Sequence, residues 1–138
     1  MSPRFSLPLL PERDAAMKTN ENIIRDFIDT WPGMDAAAIT AFFAADGIYH
    51  NMMLEPVQGT TNIEPFIKGF LGIWTKIHWD LLNIASTGNT VFTERVDHFH
   101  ASDKSVSLPC SGVFEMRDGK IAIWRDYFDM GTYVKALA

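Results

Sequence analysis

The sequence predicts an α+β domain, with helices grouped on one side of a mostly antiparallel sheet. Three observations carry that prediction. Between residues 19 and 74, apolar side chains recur at helical spacing. From residue 78 onward they alternate at strand spacing, with short polar turns between the runs. Asp118 and Gly119 stand between two such runs, which is a strong hairpin signal. A chain of 138 residues, 47% hydrophobic, is one domain and needs no disulfide or metal staple.

Residues 1–18 hold Pro3, Pro8 and Pro11 and have no apolar period. They are expected to form a flexible arm ahead of a single domain over residues 19–138. The apolar stretch within 4–10 is short for a secretory signal and is broken by Pro8. From Thr19 the pattern is helical. Ile23, Ile24, Phe27, Ile28 and Trp31 fall on one helix face, and Pro32 with Gly33 stops the helix. Asp35 is positioned to cap a short second helix, with Ile39, Phe42 and Phe43 inward. Asp46 and Gly47 read as a turn leading into a strand over 47–53, followed by a loop with Pro56 and Gly59.

The third helix has the clearest pattern. Thr61 and Glu64 have capping-box spacing, with Thr61 as N-cap. Ile63, Phe66, Ile67, Phe70, Leu71 and Trp74 then line one face. Pro65 is expected in the first turn, where an N–H has no partner to lose. Four strands follow, over 78–86, 90–101, 105–117 and 120–130. Residues 132–138 read as a short helical turn or a frayed end.

Composition excludes several partners. Twelve Lys plus Arg against 17 Asp plus Glu give a net charge of -5, with no basic stripe, so nucleic acid is not expected to bind. No run of about 20 nearly uncharged apolar residues is present, so no membrane-spanning helix is expected. The single cysteine, Cys110, has no intramolecular partner, which fits a reducing compartment and makes the cytoplasm the expected location. Glycine-rich nucleotide-binding patterns are absent.

Chemistry enters through polar residues in apolar surroundings. On the strand over 90–101, Val91, Thr93, Arg95, Asp97 and Phe99 share one face. On the last strand, Trp124 and Phe128 flank Asp126 at i-2 and i+2. An isolated buried carboxylate is too costly, so Asp126 is expected to be paired or to have a shifted pKa. Tyr49 and Asn51 add two hydrogen-bonding groups on the early strand. If a curved sheet gathers these faces, two carboxylates, one fixed cation and two neutral polar groups meet. That set suits one-step acid–base chemistry on a small apolar molecule. One Asp takes a proton from water, the other gives one to a departing oxygen, Arg95 holds both, and Tyr49 and Asn51 aim the water. A structural ion pair has the same spacing, and spacing alone does not separate the two.

The segments YHN at 49–51, TERVD at 93–97 and GKIAIWRDYFD at 119–129 resemble the limonene-1,2-epoxide hydrolase family. Their order and spacings match from about Glu21 to Tyr133, and FFAADGIYHNM is also similar. The resemblance implies the fold of nuclear transport factor two and ketosteroid isomerase, in which helices pack over the concave face of a curved sheet to form a cone with an apolar pocket. It implies hydration of a small apolar epoxide, terpene-like or cyclic, to a vicinal diol, with no covalent intermediate and no cofactor. It assigns Asp126 as the base, Asp97 as the acid, Arg95 as the bridge that also contacts the epoxide oxygen, and Tyr49 and Asn51 as the groups that hold the water. An acid at neutral pH must keep its proton beside Arg95, so desolvation and the second carboxylate must outweigh the arginine.

Phe70, Trp74, Phe99, Leu108, Cys110 and Phe128 are the candidate pocket walls. Epoxide and water are the expected partners, and a homodimer the expected assembly. A ketosteroid-isomerase-like or polyketide-cyclase-like enzyme, or a non-catalytic small-molecule-binding module, are the alternatives on the same fold. His98 and His100 form an H-x-H, but no third ligand stands at a motif spacing, so no metal is expected. His50 and His78 stand alone in the sequence.

Overall fold

A computed structural model describes residues 18–138. The expected arm therefore lies almost wholly outside the described residues. Helix α1 spans Asn20–Thr30, and the Thr19 hydroxyl caps it by accepting from Asn22 N at 3.1 Å. A 3-10 turn, Trp31–Gly33, ends it. Helix α2 spans Ala36–Thr40, with the Asp35 carboxylate accepting from the N–H groups of Ala37 and Ala38. Both caps satisfy N–H groups that the first helical turn leaves without partners.

Strand β1 covers Phe43–Asn51, so Phe43 belongs to the sheet and not to α2. Asp46 and Gly47 lie inside this strand. The register with its neighbour shifts between Phe43 and Ile48, so the Asp-Gly pair forms a bulge where a turn was expected. A two-residue strand, β2 (Val57–Gln58), follows.

Helix α3 spans Thr60–Leu71 with Gly59 as N-cap. Thr61 is therefore inside the helix and does not cap it, and the expected capping box with Glu64 does not form. Pro65 is likewise interior. It removes the N–H that would bond the carbonyl of Thr61, at a point where its neighbour Phe66 faces out of the core. The helix ends before Trp74, which sits in the following turn with its ring buried.

The remaining strands are β3 (Lys76–Thr87), β4 (Thr90–Ala101), β5 (Lys104–Arg117) and β6 (Lys120–Phe128), and helix α4 (Met130–Leu137) closes the chain. Sheet order is β2-β1-β6-β5-β4-β3. Every neighbouring pair is antiparallel except β1 with β6, which run parallel. Asp118 and Gly119 both have positive φ, the type I′ geometry that suits a two-residue hairpin.

Helix α1 supplies the centre of the core. Phe27 is fully buried and meets Trp124, Phe114 and Phe43 edge-on at centroid distances of 5.2, 5.9 and 6.0 Å. Burying one such ring contributes roughly 1.5–3 kcal/mol. Trp31 stacks on Trp79 at 4.5 Å. These contacts fix the helix over one face of the sheet and leave the polar stretch of that face, further along the strands, facing a cavity.

Candidate active site

Cross-strand register assembles the site. Side chains at paired positions point to the same side of a sheet. Asn51 on β1 pairs with Asp126 on β6, Asp126 with Gly112 on β5, and Gly112 with Thr93 on β4. One step along β4 the next row runs Phe128, Cys110, Arg95. One step further, Leu108 pairs with Asp97, and Asp97 with Trp79. Tyr49 is in register with Trp124 and stacks on it at 4.3 Å.

Arg95 is fully buried, and all five of its N–H groups have acceptors. Nε and one Nη2 hydrogen go to Asp97, at 3.0 and 2.8 Å. The other Nη2 hydrogen and one from Nη1 go to Asp126, at 2.9 and 3.0 Å. The last donates from Nη1 to the Thr93 hydroxyl at 3.2 Å. Both carboxylates are thus held bidentately by one guanidinium, the geometry an ammonium group does not offer. The Trp79 ring lies 4.4 Å from the guanidinium carbon and adds a cation–π contact. Asp97 also accepts from Cys110 Sγ at 3.4 Å, and Asp126 from Trp124 Nε1 at 3.3 Å.

Gly112 makes the bridge to Asp126 sterically feasible. A Cβ there would lie 2.6 Å from Arg95 Nη1 and 3.0 Å from Asp126 Oδ1. Arg95 reaches β6 across the space that a side chain on β5 would fill.

One guanidinium and two carboxylates leave a net negative charge in a dry place. Burial pushes the Asp126 carboxyl above its ordinary value, the Asp97 charge adds to this, and Arg95 opposes it. Desolvation and the second carboxylate thus favour the protonated form of Asp126, and one proton in the cluster would make it neutral. Burial works to lower the Arg95 pKa, but the two carboxylates raise it further, so it stays charged. Burial and then the Asp126 charge push the Tyr49 hydroxyl up, so it remains protonated. Burial likewise keeps the Cys110 thiol protonated. Asp97, Cys110 and Asp126 offer atoms within 4.8 Å of one another, but Arg95 already serves as the cation of that cluster, and a metal ion there would have to displace it.

A cavity of about 450 Å³ opens above the cluster. Its lining includes Tyr49, Asn51, Asp97 and Asp126, together with Phe70, Phe99, Leu108, Cys110 and Phe128. Trp74 is not part of the lining. It lies behind the wall, beside Phe99, and donates from Nε1 to the Tyr133 hydroxyl. The helical periodicity extended one turn beyond the real helix and carried Trp74 with it. Arg95 lies beneath the cavity floor and not on its surface. With all five donors engaged, contact between Arg95 and a ligand oxygen would require one of these bonds to open.

Several lining residues were not singled out from sequence: Trp31, Trp79, Trp124, Leu54, Phe66, Ile73, Met130 and Tyr133. Trp124 carried a usable signal, since it precedes Asp126 by two residues on one strand face, whereas Trp79 meets Asp97 only through cross-strand register. Met130 and Tyr133 carried none, because α4 was not read as a packed element.

The catalytic-domain description of the limonene-1,2-epoxide hydrolase family matches residues 18–138. The chain is 31% identical over 117 residues to epoxide hydrolase EphG of Mycobacterium tuberculosis, covering 83% of this chain and 76% of that protein. A solved structure of a limonene-epoxide-hydrolase-like epoxide hydrolase from M. tuberculosis superposes with a TM-score of 0.74 at 26% identity, over 86% of this chain and 88% of that one. A hypothetical protein with a ketosteroid isomerase-like fold from Catenulispora acidiphila gives a TM-score of 0.77 at 20% identity, over 86% and 93%. That last likeness speaks for the cone fold alone. The buried acid–arginine–acid bridge, the fold and these likenesses agree: the chain belongs to the limonene-1,2-epoxide hydrolase family and is an epoxide hydrolase of that type.

Proposed function

We propose that the enzyme adds water to small apolar epoxides, terpene-like or cyclic, and releases vicinal diols in one step without a covalent intermediate or a cofactor. The observation that carries this reading is the buried bridge from Asp97 through Arg95 to Asp126 beside an aromatic cavity. In the resting state the pair shares one proton, and the family likeness assigns its delivery to Asp97. A water held by Tyr49 and Asn51 attacks an epoxide carbon and gives its proton to Asp126. The carbon–oxygen bond breaks, and the departing oxygen takes the proton from Asp97. The pair ends with one proton, now on Asp126, and the cycle resets when it returns to Asp97. Arg95 offsets the charge in both states, so the cluster never carries two uncompensated negative charges in a dry site.

Two groups working in this way contribute on the order of 10²–10⁴ each. Asp126→Asn and Asp97→Asn should each lower diol formation from limonene oxide or cyclohexene oxide by that factor, with circular dichroism unchanged. A variant within threefold of wild type would remove its residue from the mechanism. A ketosteroid-isomerase-like reaction is the second reading, and turnover of a β,γ-unsaturated ketosteroid with no diol formed from any epoxide would favour it.

The reading includes a catalytic domain over residues 19–138, a homodimer and a cytoplasmic setting. Leu82, Phe92 and Tyr127 expose apolar surface on the described sheet, which supports a covering partner copy. A buried free thiol supports a reducing compartment. Sedimentation velocity tests the dimer directly, and a monomer at micromolar concentration would exclude it.

A further inference from the structure

We infer that His78, Asp80 and His98 form a binding site for a divalent late transition-metal cation, with Zn²⁺ as the natural probe, on the outer face of the sheet. The site is distinct from the catalytic cluster. Arg95 and Asp97 point inward from β4, and strand alternation turns His98 outward. Of the H-x-H in the sequence only His98 enters the site. The fold supplies the other two ligands from the neighbouring strand, because His78 pairs directly with His98 across β3 and β4, and Asp80 follows His78 on the same face.

Several features suit a metal. One ligand atom from each residue lies within 4.8 Å of the others. His98 Nε2 is 2.9 Å from Asp80 Oδ2, and His78 Nε2 is 3.7 Å from Asp80 Oδ1. Tetrahedral zinc with bonds of about 2.0–2.1 Å needs ligand atoms about 3.3 Å apart, which these distances bracket. The His78 and His98 rings lie stacked, with centroids 4.5 Å apart, so modest ring rotation is needed to aim both at one ion. The His78 side chain is 45% exposed in the single chain, which gives its ring the freedom to turn.

The far nitrogen of His98 already has a partner. His98 Nδ1 is 2.8 Å from Ser107 Oγ on β5. Donation from Nδ1–H to that hydroxyl would fix the tautomer that presents Nε2 to the metal, the usual arrangement around a ligating histidine. Imidazole nitrogen with one carboxylate oxygen is a donor set for zinc, nickel or copper, and not for calcium or magnesium. Water would complete the coordination. A bound ion would pin β3 to β4 directly behind the strand that carries Arg95 and Asp97.

The test is titration of chelator-treated full-length protein with ZnCl₂ by calorimetry, alongside thermal unfolding with and without zinc. One equivalent should bind with micromolar affinity and raise Tm. His98→Ala, His78→Ala and Asp80→Asn should each weaken binding by roughly tenfold or more, and Ser107→Ala by a similar factor through the lost orientation of His98. His100→Ala, on the same face but outside the set, should leave binding within a factor of about three. Absence of saturable binding overturns the inference, and so does binding that survives the His78 and His98 substitutions. All of these side chains are at least partly exposed, and circular dichroism of each variant confirms folding.

Discussion

Replacing Gly112 by alanine places a methyl carbon 2.6 Å from Arg95 Nη1, 2.9 Å from Thr93 Oγ1 and 3.0 Å from Asp126 Oδ1. A relaxed contact needs about 3.5 Å, so Arg95 must retreat by roughly 1 Å. It has little room, because Trp79 lies 4.4 Å from the guanidinium carbon and the group has no exposure to water. Nη1 then loses its bonds to Asp126 and to Thr93. One bond to a charged acceptor and one to a neutral hydroxyl together cost about 2–4 kcal/mol. Complete loss of a buried partner sets the upper bound, at about 3–5 kcal/mol. Urea denaturation of Gly112→Ala should show that loss of stability at unchanged m-value. Diol formation should fall by about 10² or more, because the two acids are no longer held in one geometry. Stability within about 0.5 kcal/mol of wild type, together with full activity, would refute the claim that Arg95 spans β5 through the gap at Gly112.

Two further outcomes follow from the same cluster. Because the Asp126 carboxyl is raised above its ordinary 3.8, the folded state holds more protons than the unfolded chain between 3.8 and the raised value. Stability from this group is fully present below that window and is lost as pH rises through it. The stability difference, wild type minus Asp126→Asn, should therefore decline across the window and level off above it. Urea midpoints from pH 4 to 8 test this, and a flat or rising difference would contradict the raised pKa. Diol formation should fall once the proton shared by the two carboxylates is lost, because no acid then remains for the departing oxygen. At Cys110, burial and the two nearby carboxylates keep the thiol protonated, so it should resist alkylation by substrate. Intact-mass analysis after many turnovers should find no adduct, and one mapped to Cys110 would overturn that reading.

Much of the site was legible in the sequence. Strand alternation alone put Thr93, Arg95 and Asp97 on one face with Val91 and Phe99, and the structure buries all five. An Asp between Trp124 and Phe128 is an anomaly in the sequence itself, because water-seeking groups rarely sit on apolar faces without a reason. Local signals misled where they competed with tertiary structure. Asp46 and Gly47 have turn chemistry, yet the sheet absorbs them as a bulge in β1. Thr61 and Glu64 have capping spacing, yet α3 starts earlier, after Gly59. Periodicity carried Trp74 into a helix that ends at Leu71.

The sequence by itself determined which residues are chemically unusual and which side of each strand they occupy, because side-chain alternation is a property of one strand. The tertiary structure decided which of them meet. Cross-strand register joins Thr93, Gly112, Asp126 and Asn51 in one row, although 74 residues of chain separate Asn51 from Asp126. It also decided that Gly112 is part of the site and that His78 and Asp80 stand beside His98. Register depends on where each strand begins, bulges and ends, and those points are fixed by packing between strands, so no single segment encodes them.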